Sequence, residues 1–183
     1  MRHTGTDDER FARLYGDHGR DVLAYALRRA AGPEDAADVV AETFLTAWRR
    51  LPDVPPDPEA RLWLYGVARR ILANQRRGER RRLRLGERLR DDLSALAVPG
   101  QPASAGDSAL LLALARLDEE DRELLLLVGW EELAPAQAAR VIGASAVAVR
   151  SRLHRARRRL RTAMSAESGG AGTSHGLEIE RAR

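Results

Sequence analysis

The chain has 183 residues, a formal net charge of +4 and a pI of about 10.4; all 31 of its Lys+Arg residues are arginine, set against 27 Asp+Glu. It has no cysteine, so disulfides and thiolate metal sites are excluded, and its histidines, His3, His18, His154 and His175, stand too far apart for ligand spacing, so no metal and no cofactor is expected. Met1 to Arg10 is polar, without a signal-peptide core, and no apolar run, Leu124 to Val128 among them, is long enough to span a membrane, so a cytoplasmic location without membrane insertion is expected.

Arginine suits phosphates and guanine edges because its planar fork donates two parallel hydrogen bonds, although a GC-rich genome would enrich it everywhere. Periodicity is helical almost throughout, with few β-branched clusters and no hairpin signal, and predicts an all-α protein. Phe11 to Ala31 carries Leu14, Val22, Ala26 and Leu27 in amphipathic register and stops at Gly32. Pro33 suits a first helical turn, and Glu34 and Asp35 suit the positive end of the helix dipole. This second helix runs to about Leu51 with Val40, Phe44, Ala47 and Leu51 as its apolar stripe, and Trp48 is expected in the core. Asp35, Asp38 and Glu42 lie away from that stripe and offer carboxylates to a basic partner, or form a solvated face.

Pro52, Pro55, Pro56 and Pro58 forbid helix and make a stiff loop. A third helix, from about Glu59 to Arg77, buries Leu64, Val67, Ala68 and Ile71, while Trp63, Gly66, Arg70, Asn74 and Arg77 line a different face that is aromatic, basic and amide-bearing. Such a face fits single-stranded DNA, with bases stacked on the aromatic ring and arginines on phosphates, although Trp63 serves equally as a core residue. Arginines then crowd Gly78 to Arg90, and Asp91 to Asp107 holds Pro99, Gly100, Pro102, Ser104 and Gly106 with little apolar periodicity. Two small helical domains are expected, residues 1–78 and 108–164, joined by a flexible linker over 79–107, with a disordered tail over 165–183.

Pro135 to Arg161 reads as a helix-turn-helix: Ala139 is small enough for close helix approach, Gly143 permits the turn, and Ser145 is an N-cap. Val149, Leu153, Ala156 and Leu160 form the buried stripe of the second helix. Opposite lie Arg150, Ser151, His154, Arg155 and Arg158, flanked by Arg152, Arg157, Arg159 and Arg161, with no acid among them. Uncompensated cations on one helix repel unless a polyanion receives them, so a DNA-reading helix is expected. Arg150, Ser151, His154 and Arg155 are placed for base edges, and Arg152, Arg157 and Arg159 for phosphates.

These residues carry a resemblance to the extracytoplasmic-function sigma factors of the sigma-70 family. Asp35 to Arg50 looks like region 2.2, Ala60 to Arg70 is similar to regions 2.3 and 2.4, and Val149 to Leu160 matches the end of region 4.2. The resemblance implies that Asp35, Asp38 and Glu42 bind the clamp helices of core RNA polymerase's largest subunit, with region 4 on the flap. It implies that Trp63, Arg70, Asn74 and Arg77 open and read the minus-10 element, that the Pro52–Glu59 loop helps hold an extruded base, and that the linker threads into the polymerase. Arg150, Ser151, His154 and Arg155, with Arg152 and Arg157, would serve the minus-35 element, and an anti-sigma factor would restrain the protein. Three positions depart from the family pattern: Ala41 replaces a usual glutamine, Arg70 a frequent asparagine, and Ala134 a frequent hydroxyl cap.

Two other classes fit less of the sequence. A stand-alone regulator would bind duplex operator through the helix-turn-helix without polymerase. A nucleic-acid-processing enzyme would need an acid, metal or nucleophile constellation, and none is legible, so no catalysis is expected.

Overall fold

The structure, a computed structural model, describes residues 5–89 and 105–170, with side chains over 5–78 and 110–165. Among these every regular element is helical: α1 (Gly5–Leu27), α2 (Pro33–Arg49), a 3-10 turn (Leu51–Asp53), α3 (Glu59–Leu89), α4 (Ala105–Ala115), α5 (Glu119–Gly129), α6 (Pro135–Ile142) and α7 (Ala146–Gly170). The chain divides into two compact units, one built on α1, α2 and α3 and the other organised around α7, against which α4 and α5 pack. Among the described residues no helix is long and apolar enough to cross a membrane.

In the first unit α1 buries Leu14, Val22, Tyr25 and Ala26. Leu27, which periodicity assigns to this stripe, is 50 % exposed, because Val22, Tyr25 and Ala26 fill the three-and-four spacing and Leu27 falls beside it. Tyr25 stacks on Tyr65 of α3 at 4.8 Å, and the Arg29 guanidinium lies 3.7 Å from the centre of the Tyr25 ring while donating to the Tyr25 carbonyl at 3.0 Å. Arg76 of α3 donates to the Arg29 carbonyl at 2.9 Å, so the end of α1 is fastened to α3.

α2 starts at Pro33 behind Gly32, with Glu34 and Asp35 in its first turn. Its buried stripe is Ala36, Val39, Thr43, Phe44 and Ala47. Val39 therefore takes the place that periodicity gives to Val40, which is only half-buried; a buried Thr43 disguises the true stripe, and its hydroxyl is satisfied by donating to the Val39 carbonyl at 2.6 Å. Trp48 is also half-buried, with Phe11 edge-on to it at 5.0 Å. The proline loop is pegged by buried Leu51 and Val54, and Arg10 of α1 donates to the Val54 carbonyl at 2.7 Å.

α3 buries Leu64, Val67, Ala68 and Ile71 as its spacing predicts. It continues to Leu89 instead of stopping near Arg77. Two glycines in this stretch, Gly78 and Gly86, cost about 1 kcal/mol each against alanine, but the Arg, Leu and Glu residues around them are strong helix formers. Part of the expected linker is thus helix, and residues 90–104 of it lie outside the described residues.

In the second unit Asp118 caps α5 by accepting from the Asp121 amide at 2.8 Å. Arg122 closes the preceding turn by donating to the carbonyls of Leu114 and Ala115 at 2.8 Å and of Leu117 at 3.0 Å, which satisfies the open end of α4. Leu124 to Leu127 are all buried, so α5 is enclosed by apolar neighbours on more than one side. α7 continues to Gly170, past the Ser165 at which a tail is expected, and residues 171–183 lie outside the described residues.

Candidate nucleic-acid interface

The helix-turn-helix forms from local chemistry. α6 opens on Pro135, and although Ala134 lacks a capping hydroxyl, Gln137 reaches back to accept from the Ala134 amide at 2.9 Å, the returning half of a capping box. Gly143 has φ +79°, in the left-handed region, and the Ala144 amide donates to the Ala139 carbonyl at 2.9 Å, the bond that terminates a helix through a left-handed glycine. Ser145 then accepts from the Ala148 amide at 3.2 Å and starts α7.

Along α7, Val149, Leu153 and Ala156 are buried, and Leu160 is half-buried. On the opposite face Arg150, Ser151, His154, Arg155 and Arg158 are exposed, as are Arg157 and Arg161 beside it. Among the described side chains no carboxylate pairs with these arginines. An exposed cationic strip with a hydroxyl and an imidazole among the guanidiniums can hold phosphates at its edges and donate to base acceptors at its centre.

Arg152 and Arg159 behave otherwise. They sit seven residues apart on one flank of α7, and that flank meets the acidic start of α5. Arg152 donates through Nε to Asp121 at 2.7 Å and through Nη2 to Asp118 at 3.0 Å, and it also pairs with Glu120. Arg159 pairs with Asp118 at 3.1 Å and with Asp121. The Asp121 side chain is 1 % exposed, and both guanidiniums reach it. Arg152 and Arg159, expected on phosphates, thus sit here against carboxylates, Arg152 on Asp118, Glu120 and Asp121 and Arg159 on Asp118 and Asp121. Asp118 is held below the usual carboxylate range, first by the Asp121 amide that it accepts, against a smaller opposing effect of burial, and then by Arg152 and Arg159. Arg152 is raised, first through its hydrogen bond to Asp121.

The first unit presents two further faces. On α2 Asp38 and Glu42 are exposed and Asp35 is half-buried, and Leu45, absent from the sequence-based set, continues this row with 46 % exposure. On α3 Arg70, Asn74 and Arg77 are exposed, Trp63 is half-buried, and Arg77 donates to the Asn74 side-chain carbonyl. Trp63 thus has both a packed side and an open one. Val147, at the start of α7, is also missing from the sequence-based set; it is 68 % exposed on the cationic face.

Comparison with known proteins agrees with this layout. Residues 14–82 match the Sigma-70 region 2 family and residues 107–160 match Sigma-70, region 4. The ECF RNA polymerase sigma factor SigL of Mycobacterium tuberculosis is 36 % identical over 151 residues, covering 81 % of this chain and 85 % of the relative. The RNA polymerase sigma factor CnrH of Cupriavidus metallidurans is 34 % identical over 169 residues, covering 86 % and 88 %. The solved structure of CnrH in complex with the cytosolic domain of CnrY superposes with TM-score 0.61 at 28 % identity, covering 85 % of this chain and 88 % of that one. The fold is also that of the sigma factor RpoE of Bartonella quintana, solved with the anti-sigma factor NepR, at TM-score 0.67 and 23 % identity over 85 % of this chain and 96 % of that one. With both regions matched in order and identity sustained over most of either partner, the chain belongs to the extracytoplasmic-function sigma factors of the sigma-70 family.

Proposed function

We propose that this sigma factor, acting by binding and without catalysis of its own, joins core RNA polymerase through the α2 row Asp35, Asp38 and Glu42 and reads promoters with α3 and α7. The observation that supports the reading is the exposed α7 face, Arg150, Ser151, His154 and Arg155 with Arg157 and Arg158, which holds guanidiniums, a hydroxyl and an imidazole and no acid. Arg150, Ser151, His154 and Arg155 read minus-35 base edges, and Arg157 and Arg158 hold phosphates. Trp63, Arg70, Asn74 and Arg77 engage the melted minus-10 strand, with the open side of Trp63 as the stacking platform. Two contact zones on one chain make recognition depend on the spacing between elements as well as on each element. The domain limits follow the same division: 1–78 for polymerase and minus-10, 108–164 for minus-35, with the intervening segment as connector.

The protein works in the cytoplasm on this reading, and an anti-sigma partner restrains it. CnrH, its relative, was solved with a bound protein domain, that of CnrY, which supports control by a protein partner. The polymerase-binding role is tested by mixing the full chain with core polymerase and measuring co-purification. The native chain is expected to co-elute, and D38R/E42R, which sets like charges against a basic clamp, to lose binding by several kcal/mol. Unchanged co-elution of D38R/E42R would remove the α2 assignment. A native chain that ignores core yet binds duplex operator tightly would favour a stand-alone regulator.

A further inference from the structure

We propose that Val147 reads a thymine of the minus-35 element through its C5-methyl group. This rests on the assignment of α7 to that element and adds a residue and a chemical group to it. Val147 is 68 % exposed, more than any other large apolar side chain among the described residues. A lone exposed hydrophobe is ordinary on a protein surface, so exposure alone decides nothing. Its position decides more. Val147 stands three, four and seven residues before Arg150, Ser151 and His154, which at helical spacing places it on their face and opposite buried Val149, Leu153 and Ala156.

It also lies in the first turn of α7, just past the Ser145 cap. The amino-terminal turns of a recognition helix are the part that reaches base edges, whereas residues further along meet backbone. Its neighbours Ala146 and Ala148 are small and let the backbone come close to the groove floor. A β-branched residue is a poorer helix former than alanine at an exposed site, so helix stability gives no reason for valine there. The cations around it bring a polyanion to this face, and the thymine methyl is the most protruding apolar group on the floor of the major groove. The occupant that fits Val147 is therefore that methyl, flanked by the acceptors that Arg150 and Ser151 address.

The test uses holoenzyme reconstituted from the full chain and core polymerase on a promoter whose start has been mapped. Each minus-35 thymine is replaced singly by deoxyuracil, which removes the methyl and leaves every hydrogen-bonding group. Initiation by the native protein is expected to fall about fourfold at one position, the factor that follows from exposing one methyl-sized apolar group. V147A, which keeps the helix, should transcribe thymine and uracil templates equally at that position while keeping native sensitivity at the others. Native insensitivity to uracil at every position, an equal uracil penalty in V147A, or an element without any A·T pair would each overturn the proposal. A scrambled minus-35 template separates the two levels. If scrambling leaves initiation unchanged, the assignment of α7 itself fails; if scrambling abolishes initiation and uracil has no effect, only the role of Val147 fails.

Discussion

Replacing Arg152 with methionine keeps most of the apolar stem and removes the guanidinium, which isolates the role of its ion pairs. Asp121 is 1 % exposed and takes the Arg152 Nε–H at 2.7 Å. Deleting one partner of a fully buried pair costs about 3–5 kcal/mol. The cost is smaller here, because the Arg152 side chain is itself 34 % exposed and Arg159 stays on Asp121. About 2 kcal/mol is expected for R152M. That corresponds to about a thirtyfold loss of hydrogen-exchange protection if opening is local to the second unit. The measurement is amide exchange along α5 and α7 of the full chain, with the α1–α3 amides as internal reference. R152M should lose protection in α5 and α7 only, D121N/R152M should lose less than the two single variants summed, and the salt dependence of promoter binding should stay native. Native protection in R152M together with a salt slope reduced by about one unit would mean that Arg152 leaves the carboxylates for a phosphate, and the reasoning would fail.

Arg155→Ala should relax preference at one or two minus-35 base pairs by about 1–3 kcal/mol, whereas Arg157→Ala should weaken all promoters alike and lower the salt slope by about one unit; a minus-35 library transcribed at two salt concentrations separates them. Trp63→Ala should remove about 1–3 kcal/mol of stacking and slow the appearance of permanganate-reactive thymines near minus 10 while core binding stays native, and an unchanged rate would make Trp63 a packing residue. Asp118 has a folded-state pKa depressed mainly by the Asp121 amide, so its contribution is present above the unfolded value of about 3.9 and is lost as pH falls through the lower folded value. The resistance of the second unit to urea should therefore fall as pH drops below about 4. Asp118→Asn, which still caps a helix, should show a smaller fall.

The arginine flank shows where sequence reasoning stops. Val149, Leu153 and Ala156 announce the buried side of α7, and the opposite cationic face follows from them. Spacing along one helix separates Arg152 and Arg159 from that face but does not say what meets their flank. A clue was present in Asp118-Glu119-Glu120-Asp121, an acidic run at a helix start, which matches two cations seven residues apart. The acidic row on α2 and the Arg70–Asn74–Arg77 face stand out in the sequence because both consist of charged or amide residues at helical spacing; Asp38, Glu42, Arg70, Asn74 and Arg77 are exposed and Asp35 is half-buried. Periodicity puts Val40 where Val39 is buried and includes exposed Leu27 while omitting buried Tyr25, because Thr43 and Tyr25 carry stripes that apolar counting alone reads wrongly. The end of α3 was missed because arginine-rich sequence lacks apolar periodicity yet has high helix propensity. Ala134 looked like a missing cap, and Gln137 supplies the complementary bond.

Transcription by core polymerase on a fragmented, supercoiled genomic library, with and without the purified chain and with every start mapped, addresses the sigma-factor reading at its root. The expected result is a set of new starts that require the chain and share two upstream elements, near minus 10 and minus 35, at one fixed separation. Starts identical with and without the chain, or new starts that share no paired elements, would contradict it.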